Sequence, residues 1–435
     1  MSAPTDVYDG LDPETAERAR SAMEWMVGAD GDAIELTQMG VQLFLWYFLP
    51  RKWLGDKAEH HEVAWSLGDF LAALGLDRYA AICRDPSTHH VIDAHHQSDE
   101  QGRRALREAL DESGVEPPDT PTLAWSAVMG MDEARIRDEV SSMLEAAIVS
   151  GDLAVGARGW KARAARLTVD YLTTPRGEYD YRLPRDVVHE ERARRWVAEG
   201  GQARKRLYGA VLDELDDAYD ASDAAVAESL EPVRMLLDGI GDGVTMTQAG
   251  YLPKALAVEW CDRFCDDRPS LHRASSEADV PPLRELHALL RRSRLLTRRG
   301  RKVSVSGTAR KWIADDRRLL EVLAVQSLSG ESFDADVAVV CAAGLLTAER
   351  TLGERELMKR THTVVADRWS TRDGRGVDEE DVRWSGHRWL WIARTLRWLD
   401  TGGDWGDRTQ RLTHAGRLAA RAGLASRAYA PRVAP

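Results

Sequence analysis

Residues 280–312 run VPPLRELHALLRRSRLLTRRGRKVSVSGTARKW. The prolines at 281 and 282 suit the first turn of a helix, where a missing N–H removes no hydrogen bond, so a helix is expected from there to about Arg294. Leu295-Leu296-Thr297 and Val303-Ser304-Val305 alternate on either side of Gly300, the pattern of a short hairpin. Gly307 to Asp316 returns to helix. Upstream, a helix is expected from about Pro253 to Phe264. Helix, helix, small hairpin, helix is the order of a winged-helix-like unit, and residues 239–325 are assigned to it.

Working outward, Gly31-Asp32-Ala33-Ile34-Glu35-Leu36-Thr37-Gln38-Met39-Gly40 matches Gly241-Asp242-Gly243-Val244-Thr245-Met246-Thr247-Gln248-Ala249-Gly250 at five of ten positions. Leu412-Thr413-His414-Ala415-Gly416 is a shorter version. Each reads as a short strand followed by a Thr that caps the next helix. A second echo relates Glu62-Val63-Ala64-Trp65-Ser66 to Asp381-Val382-Arg383-Trp384-Ser385, with Ser66 and Ser385 expected as helix N-caps and the tryptophans stapling the helix start. The C-terminal region, 331–435, repeats the final half of the unit: the Trp384 to Leu399 helix, a Gly402-Gly403 turn, the Arg411-Leu412-Thr413 strand and the Ala415 to Leu424 helix.

Thr247-Gln-Ala-Gly-Tyr-Leu-Pro253, Pro281-Pro-Leu-Arg-Glu-Leu286, the Leu-Leu strand and Ser306-Gly-Thr-Ala-Arg310 together resemble the C-terminal extension of some actinobacterial plasmid pRiA-type Orf-three-like proteins. The resemblance implies helices with a small wing. It carries no activity with it.

A chain of 435 residues has room for about three domains on the length prior. Apolar residues at 43% and charged residues at 30% exclude wholesale disorder and a disulfide-stapled miniprotein. Segments rich in Ala, Leu, Arg and Glu dominate, so the expected class is mainly α with short β-hairpins, multi-domain, with repeated winged-helix-like units. The expected domains are an N-terminal helical domain at 1–96, degenerate and winged-helix-like; a linker at 97–120 around one short helix; a central helical domain at 121–238 ending in an acidic segment; and the units at 239–325 and 331–435. The first residues carry no basic and apolar leader, and four cysteines, Cys83, Cys261, Cys265 and Cys341, fit a reducing cytoplasm. The longest apolar run, Val337 to Leu346, is too short to cross a bilayer and reads as a buried helix.

A formal net charge of −12 argues against a chain that coats nucleic acid or membrane along its length. From Arg284 to Lys311 the sign reverses, with ten basic residues against one acid, Glu285. Arg291 and Arg294 are expected on one helical face, and Arg298, Arg299, Arg301 and Lys302 surround the hairpin tip. These six side chains are the candidate phosphate contacts, on a second helix and wing of the kind that meets a duplex. The competing reading is a protein–protein scaffold in which the same cations pair with Asp213, Glu214, Asp216, Asp217, Asp220 and Asp223. Partners are thus a nucleic acid or a protein, with no membrane.

No residue set dictates a chemistry. His89, His90, Asp93, His95 and His96, with Asp99, form the densest metal-like cluster, but adjacent histidines diverge and match no ligand spacing, so a polar loop is expected. Cys261 and Cys265 stand four apart on a helix facing His272 or His287, and buried structural cysteines are expected. His189-Glu190-Glu191 lacks the second histidine of a zincin helix, and no phosphate-cradling glycine loop or nucleophile elbow is present. No catalytic residue, metal or cofactor is assigned, and a metal-dependent enzyme on the histidine cluster is a third reading. The Trp384, Trp389, Trp391 and Trp398 spacing points to a core or interface rather than a base-stacking platform.

Overall fold

The structure, a computed structural model, describes residues 5–27, 36–265, 275–403 and 408–433. Helices dominate, with two small three-stranded antiparallel sheets. Among the described residues no helix is long and apolar enough to cross a membrane. The chain divides into two compact units, residues 1–191 with 431–435, and residues 192–430. The central domain expected at 121–238 is therefore parted at Glu191: its first helices belong to the first unit, and Gln202–Asp216 joins the core of the second.

Among its described residues the first unit's regular elements are all helices, apart from one bridge between Arg176 and Arg182. No sheet or wing forms in the described part of 1–96, and residues 31–35 of the Gly31–Gly40 motif lie outside the described residues. Local chemistry sets the helix starts. The Asp56 side chain accepts from Glu59 N and begins Lys57–Ala73; Asp85 accepts from Ser87 N beside Pro86 and begins Pro86–Gln97; Ser98 accepts from Gln101 N and begins Asp99–Ser113. The last of these falls where a linker was expected. It packs along Pro86–Gln97 and buries Ala105 in the N-terminal core. A second core gathers Leu123, Ile136, Val140, Leu144, Leu172 and Val188. Buried Glu145 joins the two, accepting from Gln38 N at 2.7 Å and Tyr79 Oη at 2.8 Å. Met131–Val149 is capped from a distance: Glu191 accepts from the N–H groups of Asp132 and Glu133, so close to Gly130 that any Cβ there would collide with the carboxylate.

The second unit contains two segments with the same order of elements. In the first segment, helix Glu231–Ile240, β1 (Val244–Thr245), helix Lys254–Phe264, helix Pro281–Arg292, β2 (Leu296–Arg299), β3 (Lys302–Val305) and helix Gly307–Trp312 follow one another. In the second segment the order is helix Phe333–Leu346, β4 (Leu352–Gly353), helix Glu354–Val365, helix Glu379–Thr395, β5 (Leu399–Gly402), β6 (Thr409–Leu412) and helix His414–Ala428. Strand order is β1-β3-β2 in one and β4-β6-β5 in the other. The registers also correspond: Leu296 faces Val305 and Val244 faces Val303, as Leu399 faces Leu412 and Leu352 faces Gln410.

The correspondence reaches the backbone turn that ends each third helix. Arg294 and Arg397 both adopt left-handed φ, 57° and 50°. In the first segment Leu295 N bonds to Leu290 O and Arg294 N to Arg291 O; in the second Trp398 N bonds to Ala393 O and Arg397 N to Arg394 O. These are Schellman closures with arginine where glycine is usual. Each closure feeds a strand whose partner ends in a capping hydroxyl, Ser306 onto Ala309 N and Thr413 onto Gly416 N.

Two sequence expectations are corrected by this arrangement. Leu412-Thr413-His414 corresponds in position to Val305-Ser306-Gly307, not to the Gly241 motif, where Thr247 instead closes a turn with Tyr251 and the helix waits until Lys254. Ser66 and Ser385 are helix-interior residues, because Asp56 and Asp378 upstream supply the caps. Ser385 donates to Asp334, while Trp65 and Trp384 point outward at 57% and 64% exposure.

Candidate nucleic-acid interface

The six candidate cations sit on one continuous piece of backbone. Helix Pro281–Arg292 buries Leu283, Leu286, Leu289 and Leu290 and leaves Arg291 and Arg292 exposed at its end. Arg294 lies beyond the helix, in the left-handed closure, so it does not extend a helical face with Arg291 as expected. The hairpin then turns at Gly300, whose φ of +59° suits a residue without Cβ. Arg298, Arg299, Arg301 and Lys302 are all exposed. Arg298 Nε donates to Gly300 O at 2.8 Å, Arg301 donates to Met246 O at 2.8 and 3.1 Å, and the Lys302 stem lies across Gly243. These contacts anchor side chains without using a carboxylate.

Antiparallel pairing places Arg299 directly opposite Lys302. Two cations across a ladder repel and lower hairpin stability. Among the described residues none of Arg291, Arg294, Arg298, Arg299, Arg301 or Lys302 forms an ion pair. Nearby, Arg310 pairs with Asp242 at 2.5 Å and Arg284 approaches Glu285 at 3.8 Å.

The acidic segment has other partners. Arg317 holds Asp220 at 2.6 Å and Asp223 at 2.9 Å, and its hydrogen bond keeps Asp220 below the usual carboxylate range. Arg417 pairs with Glu214, and Arg421 donates to the carbonyls of Glu214, Leu215 and Asp217. The segment therefore ties helix Asp316–Ser327 and the last helix of the unit into place, and among the described residues it forms no ion pair with the basic hairpin, the pairing expected of a scaffold.

At the positions corresponding to Arg298, Arg299 and Lys302 the second segment carries Thr401, Gly402 and Thr409, and charges near them are paired. Asp400 faces Arg411 across β5 and β6 and pairs with it at 3.3 Å. Arg397, the counterpart of Arg294, is held by Glu228 at 2.8 Å and Glu231 at 3.3 Å. Arg394, the counterpart of Arg291, pairs with Glu354, which also accepts from His387 at 2.7 Å and Gln410 at 3.2 Å. Burial pushes the Glu354 pKa up, but His387 and Arg394 outweigh it and hold the carboxyl at about 2.

The third helices of the two segments pack on each other. Glu285, nearly buried, meets Arg388 at 3.3 Å, and Arg388 also pairs with Asp334. Arg284, Asp334, Trp369, Trp384 and Arg388 line a cavity of about 480 Å³ beside this contact. Of the clustered tryptophans, Trp389 and Trp398 are buried as core, whereas Trp384 is exposed.

The histidines form a helix seam, not a loop. Trp65 Nε1 donates to His89 Nε2 at 2.9 Å, His89 Nδ1 meets His61 Nδ1 at 2.7 Å, and His61 Nε2 meets Asp93 Oδ1 at 2.8 Å. Because indole only donates, neutral His89 carries its hydrogen on Nδ1 and gives it to His61, which gives its own to Asp93. Lys57 pairs with Asp93 at 2.9 Å. His60 Nδ1 and His96 Nε2 form a second pair at 3.0 Å. His60 and His61 were missed by sequence reading; the Asp85-Pro86 helix start was the signal that the downstream histidines would face another helix. Burial lowers the pKa of His60, His89 and His95, with His96 adding to it for His60 and His61 for His89. Among the described residues no group of three or more His, Cys, Asp or Glu is placed to hold a metal ion.

All four cysteines are free and buried. Burial pushes the Cys83 and Cys341 thiols up to about 12 and also raises Cys261, with a hydrogen bond from Cys265 opposing it. Such thiols are poor nucleophiles. His287 is turned to Glu277, at 2.8 Å from Nδ1, and the same carboxylate accepts from Leu252 N at 2.6 Å. His272 lies outside the described residues.

Comparison with protein-family models, with curated proteins and with solved structures finds no match to this chain.

Proposed function

We propose that the chain is a non-catalytic binding protein whose residues 192–430 hold two winged-helix-like modules, one of which presents a basic wing to the phosphates of a nucleic acid. Arg291, Arg294, Arg298, Arg299, Arg301 and Lys302 make the contact. The reading rests on the Arg299–Lys302 pair. Like charges set opposite each other at a hairpin tip cost stability, and a polyanion placed there would reverse that cost. At the corresponding tip the other module sets Gly402 opposite Thr409, with the paired charges of Asp400 and Arg411 two steps along the ladder.

Phosphate binding releases counterions, so the test is a fluorescence-anisotropy titration of the full chain against labelled DNA over a range of salt. Binding that weakens linearly on a log–log plot, and that is lost when Arg298, Arg299 and Lys302 are replaced together by Ala in a chain of unchanged circular dichroism, supports the reading. Absence of binding to duplex and single-stranded DNA and RNA at low salt removes it.

A further inference from the structure

We infer that the basic hairpin grips the phosphodiester backbone of a duplex and reads no base sequence; this rests on the function proposed above and narrows its substrate. Base identity is read chiefly by side chains that a helix carries into the major groove, as bidentate contacts from its outer face. In the first module that helix is Pro281–Arg292, and it packs on the third helix of the second segment, with Glu285 spent on Arg388. Arg284 is exposed but lines the cavity it shares with Trp384 and Arg388. Arg291 and Arg292 stand in the last turn of the helix, next to the hairpin. A duplex that took the helix lengthwise would meet the neighbouring helix as well, whereas the hairpin cations are exposed on their own.

A single strand is the other phosphate-bearing candidate. Proteins that hold it combine cations with aromatic rings on which unpaired bases stack. Between Arg284 and Lys311 the chain contains no Phe, Tyr or Trp. Tyr251, next to Gly250, where a Cβ would lie 4.0 Å from Arg298 Nη1, is half-buried. Cations without a stacking surface favour the ligand with the higher charge density, the duplex.

Two short duplexes of unrelated base sequence and an oligothymidine of equal length, each titrated with the full chain by anisotropy at several salt concentrations, test this. The expected result is dissociation constants for the two duplexes that agree within about twofold, and weaker binding of oligothymidine at every salt. With six cations and two of them partly held by carbonyls, the log–log salt slope for the duplexes should lie between roughly −3 and −5. Arg284→Ala should leave the duplex constants unchanged, while Arg299→Ala should weaken both duplexes alike and reduce the slope by about 1. A preference of about tenfold or more for one duplex, or loss of binding in Arg284→Ala with a normal unfolding curve, would overturn the inference and leave the proposed function standing. Tighter binding of oligothymidine overturns it in favour of a single strand. Failure to bind any of the three at low salt overturns this inference together with the function on which it rests.

Discussion

Glu285 and Arg388 occupy corresponding positions on two helices, each nine residues before a left-handed arginine, and they pair with each other at 3.3 Å. In a true two-fold contact the residue nearest the axis meets its own copy. A glutamate there would face a glutamate and an arginine an arginine. Two segments of one chain escape that restriction, and here the two positions carry opposite charges. Arg388→Leu leaves Glu285 nearly buried with Arg284, at 3.8 Å, and Arg292 as its remaining cations. A loss of about 1–3 kcal/mol is expected. It would be read as a lower urea midpoint with unchanged slope; an unchanged midpoint would show that packing alone holds the two helices.

Under the proposed function, Arg299 facing Lys302 would set stability against binding. Arg299→Glu converts a repulsive cross-strand pair into an attractive one and should raise stability by about 0.2–1 kcal/mol while weakening DNA binding. A variant that loses both, or that keeps binding, contradicts the assignment.

The two left-handed arginines should respond differently to the same substitution. Arg294 has no ion pair among the described residues, so Arg294→Gly only relieves backbone strain, and stability should stay level or rise by up to about 1 kcal/mol. Arg397→Gly gains the same relief but loses Glu228 and Glu231, so its thermal midpoint should fall below that of Arg294→Gly. Equal midpoints would show that the ion pairs contribute nothing.

Gly416 permits a close approach that no side chain allows. A Cβ there would lie 1.9 Å from the Trp398 carbonyl oxygen, which is backbone and cannot swing aside. Gly416→Ala should cost more than about 3 kcal/mol or prevent folding of the second unit. Gly300→Ala, in open space but at positive φ, should cost about 1 kcal/mol. Denaturant unfolding of the two variants separates a clash from a dihedral penalty.

Acid should weaken the first unit through its histidines. His60, His89 and His95 have pKa values below the ordinary 6.5 in the folded state, so the unfolded chain binds protons first as pH falls. Their contribution is complete above 6.5 and declines below it until the folded values are passed. A further proton on the His61–His89 pair, which is faced by Trp65, Lys57, Asp85 and Asp93, must also break one of its hydrogen bonds. Unfolding midpoints measured between pH 7 and 5 should fall, and His89→Gln should flatten the fall. A pH-independent midpoint for the parent would disprove this.

The hairpin at Gly300 and the cap at Thr413 were legible because alternation and capping chemistry are local. Correspondence between the two sheet-bearing segments was not, because its markers are backbone features. Leu290 matches Ala393 and Leu295 matches Trp398, and only the left-handed φ and the shared hydrogen bonds reveal the match. The cysteines announced their burial by residue type alone. Exposure of the six cations could not be read, since nothing in the chain tells whether Arg317 and Arg417 or the hairpin will claim the acids at 214–223. Nor could the seam of histidines, since a residue's partner on a second helix depends on packing angle.

Because the two hairpins belong to one polypeptide, dilution cannot change their ratio: every copy carries one hairpin crowded with cations and one whose Asp400 and Arg411 are matched. Under the proposed function each chain would offer a polyanion one such contact, and bridging two stretches of it would take two chains.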